Sequence, residues 1–253
     1  MALKVLILGG TQEGRVLAEQ LAGDTRFSAL LSFAGRTASL QAPAVPHRIG
    51  GFGGVAGLIE FLRAGNFGAL IDATHPFAAQ MSANAVEAAQ ALQMPLLRVE
   101  RPAWSQVEGD RWQEVDDMPG AAAAIGSTPR RVFLTIGRLE IAAFRSAPQH
   151  HYLVRAVDPF DVQLPAARLI TARGPFDVGA ERSLLQRESI EVIVSKNAGT
   201  TATYAKIAAA RALALPVIMV RRPQPPAAET AAAIADARLW LMRSYNVSQR
   251  REK

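Results

Sequence analysis

Short apolar runs alternate with amphipathic stretches from the start of the chain. The first run, over residues 3–8, ends at two glycines, and residues 13–22 then place Val16, Leu17 and Leu21 at helical spacing. This pattern predicts a strand, a tight turn and a helix. By the same reasoning the first half of the chain is predicted to form further strands over 27–33, 69–72 and 95–99, and helices over 55–63 and 77–93.

The same alternation resumes after a polar, tryptophan-containing connector over residues 101–117. Short apolar strands that alternate with helices are typical of a parallel sheet covered on both faces. A (β/α)₈ barrel is the competing architecture, but the connector and an internal repeat favour two open sheets. The pattern predicts helices over 118–125, 139–144 and about 227–242, and strands over 131–136, 151–154, 169–172, 192–195 and 216–220.

The internal repeat joins the two halves of the sequence. Residues 88–102 read AAQALQMPLLRVERP and residues 209–223 read AARALALPVIMVRRP, without a gap. Upstream, the strand ending at Ile71 and Asp72 corresponds to the one ending at Val194 and Ser195, and LILGGTQE has a weaker echo in LTIGRLE. Chance similarity between alanine-rich helices is the alternative, but the closing Arg-Pro pair favours a duplicated unit.

We therefore expect an α/β protein of two Rossmann-like, doubly wound parallel-sheet domains related by this repeat, over residues 1–108 and 109–253. Ligands of such sheets bind outside the carboxyl ends of the strands. The first domain is expected to bind a dinucleotide and the second to lie on the substrate side. The site is expected to face the cleft between them.

Composition narrows the class of protein further. The chain of 253 residues carries 28 Lys and Arg against 22 Asp and Glu, which favours anionic small molecules as partners. The basic residues are scattered, so no nucleic-acid partner is expected. No cysteine is present, which excludes disulfides and thiolate metal sites, and no bound metal is expected. No membrane association is expected either, and we expect a cytoplasmic location; the sequence does not indicate the oligomeric state.

The first turn has the position of a dinucleotide-binding loop. Its sequence, Gly9-Gly10-Thr11-Gln12-Glu13-Gly14, departs from G-x-G-x-x-G because Thr11 stands at the second glycine position. Thr11 could offer its hydroxyl and backbone N–H to a phosphate at the helix N-terminus, or it could serve only as the helix N-cap.

Arg36 follows the second predicted strand, where an NAD-binding domain usually carries an acidic residue. An arginine among hydroxyl groups suits a 2′-phosphate and hence NADP; a solvated surface arginine is the alternative. The glycine-dense segment 50–54 is compatible with a ligand lying against backbone or with a flexible loop.

Another polar turn, Asp72-Ala73-Thr74-His75, follows a buried-type strand. Thr74 or His75 would cap the next helix, and Pro76 suits its first position. Capping accounts less well for a histidine beside a strand-end aspartate, because histidine exchanges protons near neutral pH. His75 is therefore a candidate proton donor.

Three strand-end turns in the second half each carry a cation, at Arg138, Arg173 and Lys196. Any one could be a solvated surface residue. Together they indicate a site for a ligand with several negative charges. The sequence has no G-x-S-x-G elbow, phosphate-binding P-loop or H-E-x-x-H motif, so hydrolase, kinase and zinc-enzyme readings are disfavoured.

The turns of the two halves form an ordered set of motifs: ILGGTQEGRVLA, IDATHPFA, RPAW, FLTIGR, RGPF, VSKNAG and PVIMVRRP. Single motifs are weakly specific, but the set spans nearly the whole chain. In this order the motifs resemble those of the precorrin-6A reductase family of cobalamin biosynthesis.

The resemblance implies an oxidoreductase with two Rossmann-like domains that uses NADPH to reduce one double bond of the tetrapyrrole precorrin-6A, giving precorrin-6B. It assigns Gly9, Gly10, Thr11, Glu13, Arg36 and Thr74 to the cofactor, Arg138, Arg173, Lys196 and Asn197 to the substrate, and His75, Asp72 and Lys196 to catalysis. A proton must also reach the ring, from His75, Asp72 or water. The alternatives are reduction of cobalt-containing precorrin-6A, or a non-catalytic NADP-binding regulator, against which the cationic turns argue.

Overall fold

A computed structural model of the protein describes residues 1–35 and 42–251. Its strands are β1 (Leu3–Leu8), β2 (Phe27–Phe33), β3 (His47–Ile49), β4 (Ala69–Asp72), β5 (Leu96–Val99), β6 (Arg111–Val115), β7 (Arg131–Thr135), β8 (His151–Ala156), β9 (Ala167–Thr171), β10 (Val192–Lys196), β11 (Pro216–Val220) and β12 (Glu229–Ala231). Its α-helices are α1 (Gln12–Leu21), α2 (Gly54–Ala64), α3 (Ala79–Ala91), α4 (Met118–Ala124), α5 (Val178–Arg187), α6 (Ala205–Ala212) and α7 (Ile234–Arg251), and 3₁₀ helices cover Arg138–Ser146 and Thr201–Thr203.

These elements form two compact units. The first unit combines Met1–Pro102 with the segment that begins at Pro223, and the second unit is Ala103–Arg222. The C-terminal segment was expected in the second domain, so the expected division into 1–108 and 109–253 differs from this one. The reason is long-range pairing: β12 adds to the edge of the first unit's sheet beside β5, and Trp240 and Leu241 of α7 lie in that unit's core.

The first unit contains a six-stranded parallel sheet in the order β3-β2-β1-β4-β5-β12. Alternate residues of β1 serve opposite faces. Val5 and Ile7 pack with α1 and α7, whereas Leu6 and Leu8 pack with α2 and α3. Burial on both faces explains why β1 is an almost continuous apolar run.

The second unit repeats this arrangement with the strand order β9-β8-β7-β10-β11-β6, again parallel throughout. Its core includes Phe133, Ile193 and Met219 of the central strands and Ile207 of α6. The two units are therefore open doubly wound sheets, and the barrel alternative is wrong.

Strand pairing also fixes how the two units correspond. Leu6 pairs with Leu70 and Leu70 with Leu96; in the second unit Phe133 pairs with Ile193 and Ile193 with Val217. The sequence repeat equates Leu96 with Val217, so residues 6–13 correspond without a gap to residues 133–140. This register confirms the internal repeat. It makes Gly10 equivalent to Gly137, Glu13 to Glu140 and Asp72 to Ser195.

Three short edge strands were not predicted. β3, β6 and β12 lie at sheet edges, where exposure weakens the apolar pattern. β6 falls within the expected polar connector, and β12 within the expected final helix, which begins only at Ile234. The helix expected over 139–144 is a 3₁₀ helix. No helix among residues 1–35 and 42–251 is long and apolar enough to span a membrane.

Candidate active site

The strand order reverses between β1 and β4 in the first unit, which is where doubly wound sheets bind their ligands. The turns after these two strands are tied together. The Ala73 N–H donates to Leu8 O at 2.9 Å, and the Thr11 hydroxyl donates to Ala73 O at 2.8 Å. These bonds bring the expected cofactor turn, residues 9–13, next to the turn that carries Asp72, Thr74 and His75.

Three glycines at the start of α1 and in the turn before it lie where a side chain would be unfavourable. Gly10 has φ +133°, a conformation that other residues rarely adopt. A Cβ at Gly9 would lie 2.8 Å from Leu31 Cδ1, and one at Gly14 would lie 3.0 Å from Ala73 Cβ. Gly14 thus permits close packing of α1 on the end of β4. These are the roles that glycines play in dinucleotide-binding turns, so the turn fits a pyrophosphate at the N-terminus of α1.

Thr11 is the N-cap of α1. Its hydroxyl oxygen accepts from the Gly14 N–H at 3.3 Å while the hydroxyl proton goes to Ala73 O. The possibility that this hydroxyl serves a phosphate is therefore disfavoured in this arrangement. The side chain at the second glycine position is instead held against the end of β4.

Glu13 forms an ion pair with Arg101, with Oε2 and Nη1 2.6 Å apart. Burial acts to raise the pKa of Glu13, but hydrogen bonds from its own backbone N–H and from Arg101, and the Arg101 charge, outweigh burial and hold this pKa below its usual value. The carboxylate expected to contact the cofactor is thus a partner of Arg101, the residue that closes the sequence repeat.

Asp72 is almost completely buried, and both of its carboxylate oxygens are engaged. Oδ1 accepts from the Thr74 N–H at 3.1 Å and from the Thr74 hydroxyl at 2.7 Å, whereas Oδ2 accepts from Arg98 Nε at 3.3 Å. Arg98 also donates to Pro226 O at 3.0 Å. Asp72 therefore shapes the turn and anchors Arg98, which sequence reasoning did not single out.

His75 lines a small pocket at the carboxyl ends of β4 and β5. Its Nδ1 accepts from the Phe77 N–H at 3.2 Å, which places the proton of the neutral imidazole on Nε2. The ring is half-buried. The pocket is also lined by Asp72, Thr74, Arg98, Glu100 and Arg101.

Arg36 lies outside the described residues. A cation that the sequence did not indicate, Arg48, lies in β3. It donates to the Ser32 hydroxyl and to Gly50 O, each at 2.9 Å, and its guanidinium lies 4.1 Å from the centre of the Phe52 ring. Arg48 thus holds the glycine-dense segment against the end of β2.

Lys196 and Asn197 of the second unit lie where β10 ends, and both have protein partners. Lys196 forms an ion pair with Glu140. The Asn197 side chain accepts from the Trp104 N–H at 2.7 Å and donates to Trp104 O at 2.9 Å. The expectation that Asn197 uses its amide for substrate is disfavoured because Trp104 takes both amide groups.

Arg138 and Arg173 are exposed. Arg138 opens the 3₁₀ helix after β7, whereas Arg173 follows β9 at the far edge of the sheet. The loop after β9 reaches back toward β10, because the Phe176 N–H donates to Ala202 O at 3.1 Å. The expected cations of the second unit therefore lie at or just after the carboxyl ends of the parallel strands β7, β9 and β10.

An apolar pocket lies beside these loops, lined by Trp104, Phe176, Val178, Tyr204 and Ala205. The Trp104 and Tyr204 rings meet edge to face at 5.6 Å. Two of the motifs that carried the resemblance, RPAW and RGPF, supply Trp104 and Phe176.

A buried charged cluster lies nearby and was not anticipated. Arg155 and Glu181 form two hydrogen bonds, at 2.5 and 2.9 Å, and Arg155 stacks on Phe176 at 3.9 Å. Burial and the Arg155 charge lower the pKa of Lys206 to about 7, with Glu181 opposing them. The sequence did offer one indication of this cluster, because an arginine inside the apolar strand HYLVRA is rarely buried without a charged partner.

Comparison with known proteins identifies the family. A family model described as "Precorrin-6x reductase CbiJ/CobK" matches residues 4–241. The chain belongs to the precorrin-6x reductase family. This membership confirms the resemblance that the ordered turns indicate.

Individual relatives align with this chain over most of its length. A precorrin-6A reductase of Rhodobacter capsulatus is 49% identical over 94% of this chain and 95% of its own. A cobalt-precorrin-6A reductase of Priestia megaterium is 27% identical over 87% of this chain and 91% of its own. A solved structure named CobK precorrin-6A reductase superposes with a TM-score of 0.90 at 48% identity, covering 96% of this chain and 97% of that one. The fold is thus shared with a family member.

Proposed function

We propose that the protein reduces precorrin-6A to precorrin-6B with NADPH, as a step of cobalamin biosynthesis. The observation that carries this proposal is the near-complete alignment with the Rhodobacter capsulatus precorrin-6A reductase. Relatives named for the cobalt-containing substrate are more distant, at 24–28% identity. The metal-free macrocycle is therefore the favoured substrate.

The first unit has the features of a cofactor-binding domain. Gly9 and Gly10 shape the turn before α1, and Gly14 lets α1 pack closely on the end of β4, so that a pyrophosphate would lie at the N-terminus of α1. The Thr11 backbone at the start of α1, the Thr74 turn and Arg36 are proposed to complete the site. When bound, NADPH supplies the hydride.

Among the residues of the first unit, His75 is the best candidate for the proton donor. Its Nε2 carries the proton in the neutral ring, because Nδ1 accepts from Phe77. Asp72 is less suitable, since Thr74 and Arg98 engage both of its oxygens. We propose that Asp72 is a positioning residue and that His75 acts on the substrate.

The second unit is proposed to bind the tetrapyrrole. Arg138, Arg173 and Lys196 supply cations for its carboxylates. Trp104, Phe176 and Tyr204 offer aromatic surfaces suited to an extended, largely flat ring system. Asn197 contributes by fixing Trp104.

Anaerobic incubation with precorrin-6A and NADPH tests the proposal. We expect NADPH oxidation matched by a product that has gained one hydride and one proton. His75→Gln should lower kcat with little change in NADPH affinity. Parallel incubation with cobalt-precorrin-6A distinguishes the substrates. NADPH binding without oxidation in the presence of either substrate would contradict the catalytic proposal and favour a regulator.

A further inference from the structure

The turn after β7 contains a carboxylate from the protein itself. Glu140, on the 3₁₀ helix Arg138–Ser146, forms its ion pair with Lys196 and lies directly against Gly137. A Cβ at position 137 would collide with Glu140 Oε2. The Glu140 carboxylate therefore occupies, directly against the Gly137 backbone, the space that a Cβ at position 137 would need.

The first unit uses the equivalent residues differently. Gly10 is equivalent to Gly137, but a Cβ at Gly10 would approach only the His75 backbone nitrogen, at 3.9 Å. Glu13, equivalent to Glu140, is held by Arg101 at 2.6 Å. The same position in the duplicated fold thus faces a carboxylate in one unit and not in the other.

Glycine at such a turn lets the backbone approach an anionic ligand. In the second unit that place is taken by Glu140, and Lys196 supplies the opposing charge. Glu140 is the more exposed partner, with 28% of its side chain accessible against 14% for Lys196. Glu140 lies on a 3₁₀ helix, a form with poorer hydrogen-bond geometry than an α-helix, whereas Lys196 ends an interior strand of the sheet.

We propose that this turn is a carboxylate-binding site whose resident ligand is Glu140, and that a carboxylate of the tetrapyrrole replaces Glu140 on Lys196. The exchange keeps the mostly buried Lys196 paired throughout, and the displaced Glu140 carboxylate passes to solvent. This inference rests on the proposed function for the identity of the incoming ligand. It assigns Glu140 the role of an internal competitor with the substrate.

A double-mutant cycle tests the exchange. Metal-free uroporphyrin, a stable tetrapyrrole with carboxylate side chains, serves as the probe, and quenching of tryptophan fluorescence reports its Kd. Glu140→Gln is expected to tighten binding at least about threefold, and Lys196→Gln to weaken it about tenfold. The double variant should bind like Lys196→Gln alone, because Glu140 competes only through Lys196. Glu188→Gln, which removes an acid that pairs with Arg168 in the same unit, is the matched control and should leave Kd unchanged.

A purely structural ion pair gives a different result. Glu140→Gln would then lower the melting temperature and leave probe affinity equal or weaker, which would overturn the proposal. Glu140→Asp provides a second test: it keeps the charge but shortens the reach to Lys196, and it should tighten binding less than Glu140→Gln. Equal affinities for all variants likewise overturn the exchange. Probe binding needs neither NADPH nor turnover, so failure of precorrin-6A reduction remains distinguishable from failure of this inference.

Discussion

Glu13 and Arg101 are 88 residues apart in sequence, and their side chains meet at 2.6 Å above the carboxyl ends of β1 and β5. Glu13 lies in the first turn of α1, and Arg101 belongs to the Arg-Pro pair that ends the sequence repeat. The residue equivalent to Arg101 in the second unit is Arg222, which donates to Asn197 O at 2.9 Å. Glu140, the residue equivalent to Glu13, pairs instead with Lys196. Duplication has kept the acid and changed its partner.

Glu13→Gln should lower the free energy of unfolding by about 1.5–3 kcal/mol at pH 7, the usual contribution of a charged hydrogen bond that is largely shielded from solvent. The folded-state pKa of Glu13 lies below its ordinary value of 4.5, so the pair stabilises above pH 4.5 and is lost as pH falls through the folded pKa. Urea unfolding of both proteins between pH 3 and 8 measures this. Glu19→Gln, at the exposed Arg15 pair, should change stability by less than about 1 kcal/mol; an equal effect of both variants would contradict the prediction.

Gly10→Ala should weaken NADPH binding as well as stability. Its φ of +133° imposes a backbone penalty of about 1–3 kcal/mol on alanine, and relief of that strain would displace the proposed pyrophosphate turn. Gly23→Ala is the matched control, because Gly23 also has positive φ, at +78°, but follows the opposite end of α1. Thermal unfolding and NADPH titration should separate a shared stability loss from a loss of affinity confined to Gly10→Ala. Equal NADPH affinities for the two variants would argue against the assignment of this turn.

NADPH is expected to bind more tightly than NADH. Arg36→Ala should reduce the difference in binding free energy between the two cofactors by about 1.5–3 kcal/mol, because a charge-assisted phosphate contact is lost. Calorimetric titration of both cofactors measures the difference. Arg63→Ala, which removes an exposed cation from the last turn of α2, should leave the ratio of the NADPH and NADH affinities unchanged. Equal affinities of the unaltered protein for NADPH and NADH would refute the preference.

The central strands were predictable because both faces of each sheet are covered. The predicted ranges 3–8, 27–33, 69–72 and 216–220 are the observed strands β1, β2, β4 and β11. The repeat was also visible before the strand order was known. β12 was not predictable, because three residues at an edge carry no apolar run and their partner β5 lies far away in sequence.

For the candidate site, sequence located the turns but not the partners of their side chains. Asp72 and Asn197 stand where strand-end residues often contact ligands, yet their polar atoms bond to Thr74, Arg98 and Trp104. Such pairings depend on tertiary contacts that motif spacing does not encode. The buried Arg155–Glu181 pair is a further case, because its two members lie on separate elements.

Lys206 is the buried cation expected to make folding most sensitive to pH in the alkaline range. Its amine donates to Thr203 O at 2.9 Å and lies 5.1 Å from the centre of the Trp104 ring, with Arg155 and Glu181 as charged neighbours. Burial and the Arg155 charge lower its pKa to about 7 from an ordinary 10.5. Between these two values the unfolded chain holds a proton that the folded protein has released.

The unfolded state therefore binds more protons than the folded state between pH 7 and 10.5, and the Lys206 contribution to the free energy of unfolding must rise with pH across that window. The full change is on the order of 4–5 kcal/mol, and it levels off below pH 7 and above 10.5.

Lys206→Met keeps a side chain of similar length without the titrating group. The unfolding free energy of the variant minus that of the unaltered protein should therefore fall steadily as pH rises through the window. Chemical denaturation at half-unit pH steps measures that difference directly, and subtraction cancels the other titrating groups. Lys4→Met, at an exposed lysine, should give a curve parallel to that of the unaltered protein. A parallel curve for Lys206→Met would show that Lys206 remains charged when folded, held by Glu181 and Thr203.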